Sequence, residues 1–199
     1  MRASKNIYVN LFLTFLISIS YAVVRYNIFG NVPWEDLPLF ITNKAIALTV
    51  VLLLFLSVIA KKAFMPTKKI FWKIIFILTS IHVFISFYLL GPEHFKKFYS
   101  VNELNLIGYL TLFFGISAFV GIIILNSEKL LPTKDGNLSV PESIKKIIRA
   151  IIPFLIIAHL FTMGLKGWLT PNNWHGYLIP ISLIAFLVML IYIIRIKRR

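Results

Sequence analysis

Two histidines in this chain sit where ionisable residues are rare. His82 closes the stretch "KIFWKIIFILTSIH" (Lys69 to His82), and His159 closes "KIIRAIIPFLIIAH" (Lys146 to His159). Each stretch starts on a basic residue, runs through an almost unbroken apolar segment and ends on the histidine. Aligned without gaps, the two agree at Lys69/Lys146, Ile70/Ile147, Ile74/Ile151, Ile75/Ile152, Leu78/Leu155 and His82/His159. Isoleucine matches are common in apolar sequence, whereas a matched basic residue and histidine are not. At the rise of an α-helix, both imidazoles fall about 20 Å from the basic edge. Two imidazoles at one depth on two parallel helices could ligate a planar metal macrocycle from opposite faces, as histidine does for haem iron. The alternative for each is an interhelical hydrogen bond within a bundle. The chain has no cysteine, so thiolate ligands, disulfides and cysteine nucleophiles are excluded.

The elements that would hold these residues follow from composition. The chain has 199 residues, 59% of them hydrophobic and only 14% charged, against roughly a quarter charged in a soluble domain. So much apolar surface needs lipid as its solvent. A spanning helix takes about 20 apolar residues, and six stretches qualify: 7–24, 45–60, 70–90, 104–125, 147–165 and 177–194. The expected architecture is an all-α, polytopic six-helix bundle forming a single domain over 1–199. The first span is longer than a signal-peptide core and no small-residue cleavage site follows it, so it is read as retained.

An even number of spans puts both termini on one side. With that side cytoplasmic, sixteen of the 21 basic residues fall in inner segments. Arg25, Lys44, Lys96, Lys97 and Lys166 fall in outer ones, beside Glu35, Asp36, Glu93 and Glu103. The positive-inside rule accounts for this bias, so the net charge of +14 reflects topology and calls for no nucleic-acid partner. The basic clusters "KKAFMPTKK" and "IKRR" read as inner-face anchors, and lipid is the expected surrounding.

Between the spans, "GNVPWEDLPLFITN" (30–43) and "GPEHFKKFYSVNE" (91–103) read as external loops, the first carrying Trp34 as an interfacial anchor. Pro66 marks an inner turn between spans two and three. In the inner loop 126–146, Ser139 and Glu142 have capping-box spacing around Pro141, which predicts the start of the fifth helix. The remaining histidines, His94 and His175, sit in outer loops, as interfacial residues or as substrate, quinone or alternative ligand groups. Among the aromatics around His82 (Phe71, Trp72, Phe76, Phe84 and Phe87), most should face lipid or pack, and one or two could line a haem edge. No glycine-rich phosphate motif occurs, and no flavin or nucleotide domain fits, so redox chemistry would need an outside electron donor.

With these residues in place, the chain resembles the ferric reductase-like transmembrane family. That family includes ferric reductases, NADPH oxidase membrane domains and the haem-binding membrane subunit of periplasmic methionine sulfoxide reductase. The resemblance covers roughly residues 40–165. It rests on the six spans, on histidines in spans three and five, on "NKAIALTVVLLLFLS" (43–57) and on "GPEHFKKFYSVNELNLIGYLTLFFGISAFVGIIILNS". It implies a b-type haem protein of a bacterial inner (plasma) membrane. Such a protein would carry electrons from a quinol or partner reductase to an outer acceptor: ferric iron, a quinone or a periplasmic redox protein. The family's fuller members hold two stacked haems on paired histidines thirteen residues apart. Here the inner positions are Lys69 and Lys146, so the resemblance implies one haem, with His82 and His159 as its axial iron ligands. A second haem would need His94 or His175. A different class of function, a cofactor-free scaffold or accessory subunit, fits the same sequence if the histidines only bond neighbouring helices.

Overall fold

The computed structural model describes residues 2–59, 68–130 and 140–197. Pro66 and Ser139 lie outside the described residues. Six long helices dominate: α1 (Arg2–Val23), α2 (Thr42–Ile59), α3 (Lys68–Tyr88), α4 (Leu106–Leu130), α5 (Glu142–Trp168) and α6 (Ile181–Lys197). All six carry a stretch long and apolar enough to cross a membrane, which makes the chain a multi-pass membrane protein with an all-α bundle fold.

The boundaries depart from expectation where local backbone geometry extends a helix. Residues 34–41, expected as loop, are helical: a 3-10 turn (Trp34–Asp36) and a π-helical turn (Leu37–Ile41) run straight into α2. The second span therefore covers Trp34–Ile59 and is long, not short. A second π-helical turn, Val24–Ile28, prolongs α1 beyond the expected end. α5 begins at Glu142 with Pro141 at its N-cap, so Glu142 is the first helical residue and not the third-position partner of the expected capping box. Glu142 pairs with Arg149 at 2.6 Å.

Each helix hides its own polar groups. In hydrocarbon an unsatisfied hydroxyl is costly, and Thr14, Ser18, Thr49, Thr79 and Ser80 all donate to a carbonyl four residues back. Large apolar side chains such as Phe12, Phe84 and Phe113 point outward, as expected where lipid replaces water.

α2, α3, α4, α5 and α6 close into a ring, and α1 packs on its outside against α2. α2 is the shared wall: 56% of its apolar window is buried, against 11–28% for the other spans. The α4–α5 contact is the largest in the ring, whereas α3 meets α4 sparsely. α3 and α5 are not packed along one another; each flanks α4.

The three connections at the end away from the termini meet each other. Tyr26 touches His175, Phe40 touches His94 and Phe95, and Arg25 donates to the Leu178 carbonyl. Gly176 has φ +57, and a Cβ there would lie 2.5 Å from the Phe29 ring. Glycine is the residue that accepts this backbone without strain. Between α3 and α4 a short hairpin pairs Tyr99 with Leu104 and Ser100 with Glu103.

Candidate functional site

His82 lies six residues before the end of α3, about 9 Å along the axis. His159 lies nine residues before the end of α5, about 14 Å. Both are therefore in the half of the bundle nearest the loop end, as their sequence position implies. Both are half-buried.

Each imidazole is fixed through the same ring atom. His82 Nδ1 lies 2.8 Å from Asn43 Oδ1 of α2. Asn43 is itself held, its Nδ2 donating to Ser86 Oγ at 2.9 Å. His159 Nδ1 lies 2.8 Å from the Thr111 carbonyl of α4. That carbonyl can only accept, so His159 donates through Nδ1–H. With the Asn43 amide nitrogen donating to Ser86, its oxygen takes the Nδ1–H of His82. In both rings Nε2 then carries the lone pair. A metal-binding imidazole usually has this arrangement, its other nitrogen tied to an oxygen that sets tautomer and orientation.

Packing adds a second constraint at His159. A Cβ on Gly115 would lie 2.8 Å from His159 Nδ1 and 3.1 Å from Cε1. The glycine gives room for the Nδ1 edge of the imidazole to approach α4, with Nε2 directed away from it. Thr111 Oγ1 and Thr162 Oγ1 meet at 3.0 Å one turn away and tie the two helices together.

The structure gives the other histidines different partners. His94 Nε2 is 3.6 Å from Asp36 Oδ1 and packs on Phe40. His175 stands edge-on to Tyr26. Of the aromatics near His82, Phe71 is buried in the core and Phe76 stacks on Phe119 of α4 at 6.5 Å. Phe84 and Phe87 are exposed. Among the described residues no three or more His, Asp or Glu side chains converge as a bare metal site would require.

Sequence reasoning missed Asn43, Thr111 and Gly115. Asn43 had a visible signal, a polar residue opening an apolar helix. Thr111 acts through its backbone carbonyl, which no side-chain pattern reveals. If Asn43 orients His82, Asn43→Leu should weaken any ligand held by His82 by roughly 10–100-fold, the usual cost of losing such a partner. Haem content after titration with limiting haem measures this.

Outside the spans, Lys97 reaches from the α3–α4 connection to the Met163 carbonyl of α5. Lys97 is an exposed residue whose ammonium sits against that carbonyl and over the Phe98 ring. Burial, followed by repulsion from Lys44, lowers its pKa from 10.5 to about 8. The unfolded chain binds this proton more tightly, so stability rises as pH climbs from about 8 to 10.5. Lys97→Met should reduce that rise in thermal unfolding of the detergent-solubilised protein.

The fold and these residues define a six-helix membrane protein with two oriented intramembrane imidazoles. No family model matches the sequence, and no curated protein is detectably similar to it.

Proposed function

We propose that this chain is a b-type haem electron-transfer protein of the ferric reductase-like class. His82 and His159 would hold one haem iron through Nε2. The observation that carries this reading is the shared state of the two imidazoles: each Nδ1 is engaged by an oxygen of a neighbouring helix, leaving Nε2 as a ligand atom. α3 and α5 are not packed along one another, which is compatible with it, since directly packed helices would leave no space for a macrocycle.

A haem so placed would supply a one-electron couple. The chain's own part is to orient both imidazoles, exclude water and surround the site with apolar side chains. The charge bias along the chain supports cytoplasmic termini and a site in the outer half of a bacterial inner (plasma) membrane. Lys69 and Lys146 occupy the inner positions, which leaves about 20 Å of helix between the site and the cytoplasmic edge. A quinol dissolved in the bilayer, or a partner reductase reaching the outer half, therefore suits the chain as donor. The acceptor would be ferric iron, a quinone or a periplasmic redox protein.

A second reading has a specific observation in its favour. The same hydrogen bonds join α3 to α2 and α5 to α4, which is what a cofactor-free scaffold would need. Haem stoichiometry with a redox titration separates the two. Protein expressed with ample haem should show a Soret band, the reduced α and β bands of a six-coordinate b haem, and one haem per chain. Colourless protein would leave the scaffold reading, and two haems per chain would bring His94 or His175 back as ligands.

A further inference from the structure

Three cations collect at the loop end of the bundle, and among the described residues no carboxylate pairs with them. Arg25, at the end of the first span, is 4% exposed, and its Cζ lies 5.4 Å from the centre of the Tyr26 ring. Lys44 Nζ lies 5.2 Å from the same ring and 4.2 Å from that of Phe40. Lys44 also sits 5.9 Å from the Phe95 ring. Phe95 stacks on Phe98, and Lys97 lies over Phe98. The charges of Arg25 and Lys97 both act on or with that of Lys44.

The local groups satisfy these cations only in part. Arg25 donates to the Leu178 carbonyl and Lys97 to the Met163 carbonyl. Arg25 Nε, however, is buried with no hydrogen-bond partner. Lys44 has aromatic faces around its ammonium but no oxygen acceptor among the described residues. Of the acids at this end, Glu35, Asp36, Glu93 and Glu103, Asp36 lies against His94, and none forms an ion pair with these three cations among the described residues. Ring faces and carbonyls lower the cost of desolvation, yet they remove no charge. Like charges gathered in a poorly hydrated place repel each other strongly, and an intramembrane cation ordinarily has a partner.

We propose that Arg25, Lys44 and Lys97 form a binding site for an oxyanion, a phosphate or carboxylate group, at the loop end of the bundle. Two donors without acceptors and a surplus of positive charge are what such a group would complete. Aromatic walls would shield the contact from water and strengthen it. The proposal does not depend on the two-histidine reading, although Lys44 follows Asn43 in α2 and its charge reaches His82.

The oxyanion could arrive as a soluble anion or as the headgroup of an anionic phospholipid, and two arms distinguish these. In the first, the purified full chain in neutral detergent is titrated with inorganic phosphate at fixed ionic strength, with chloride as the balancing anion. Its unfolding midpoint should rise to a plateau, and Lys44→Met and Lys97→Met should each lose most of that rise. In the second, the chain is reconstituted in phosphatidylcholine vesicles with or without phosphatidylglycerol, then re-extracted and examined by native mass spectrometry. Retained phosphatidylglycerol in the wild type, reduced in both variants, assigns a lipid headgroup. A phosphate plateau without lipid retention assigns a soluble anion. Lys97 is on a surface connection, so its variant tests the site even if Lys44→Met fails to fold. A wild type that responds to phosphate no more than to chloride, and retains no anionic lipid beyond Lys97→Met, overturns the proposal.

Discussion

Replacing His82 or His159 by alanine, one at a time, should abolish the Soret absorbance of the purified protein. Each imidazole would supply one axial ligand from its own wall of the ring, and neither has a neighbour able to take its place. His94 is turned to Asp36 and His175 to Tyr26, so no described histidine is free to swing inward. Loss of an orienting partner typically costs roughly 10–100-fold in metal affinity, and loss of the ligand itself should cost at least that. Each variant loses one hydrogen bond between helices, but the apolar packing of α3 and α5 remains, so both should still fold. Unchanged helicity with no haem is the expected result. A variant that keeps a full six-coordinate spectrum would remove that histidine from the site.

Gly115→Val is the second large effect. A Cβ at this position already meets the His159 ring at 2.8 Å, and valine adds two methyl groups to it. Either the imidazole is pushed off the Thr111 carbonyl or α4 and α5 move apart. The overpacking should cost about 1–3 kcal/mol of stability, with α4 and α5 holding the largest contact in the ring. The two outcomes read differently. A displaced ring should lose haem while the unfolding midpoint falls modestly, whereas separated helices should lower the midpoint sharply. Gly121→Ala, placed two turns away against Ile152 at 3.0 Å, controls for packing, because it crowds the same helix pair without touching the histidine. Haem loss in Gly115→Val alone would assign the role to His159 orientation.

Much of the architecture was legible because hydropathy in a membrane protein is a coarse and strong signal. All six spans follow from runs of apolar residues, and the placement of His82 and His159 in the same half of the bundle follows from counting along two helices. What escaped was decided by backbone geometry. "VPWEDLPLF" contains two prolines and two acids and reads as loop, yet its residues form a 3-10 and a π turn continuous with α2. Pro38 stands early in its turn, where its missing N–H costs nothing. The environment of the histidines was hidden for a similar reason. A backbone carbonyl at Thr111 and an absent side chain at Gly115 leave no trace in residue type, and both act only once α4 lies against α5. Arg25 and Lys44 were counted as outer-side charges, and their count was informative. Their convergence on the Tyr26 ring needed α1 and α2 to be placed side by side.

The uneven closure of the ring has a mechanical consequence. A closed ring of helices is as firm as its thinnest joint, and here that joint is α3 against α4, while α4 and α5 are locked along their length. The bundle thus has a hinge side and a seam. Heat or harsh detergent should part α3 from α4 first, leaving α4, α5 and α6 together, and any bulky molecule that must reach the interior from the bilayer has its shortest way in through that seam.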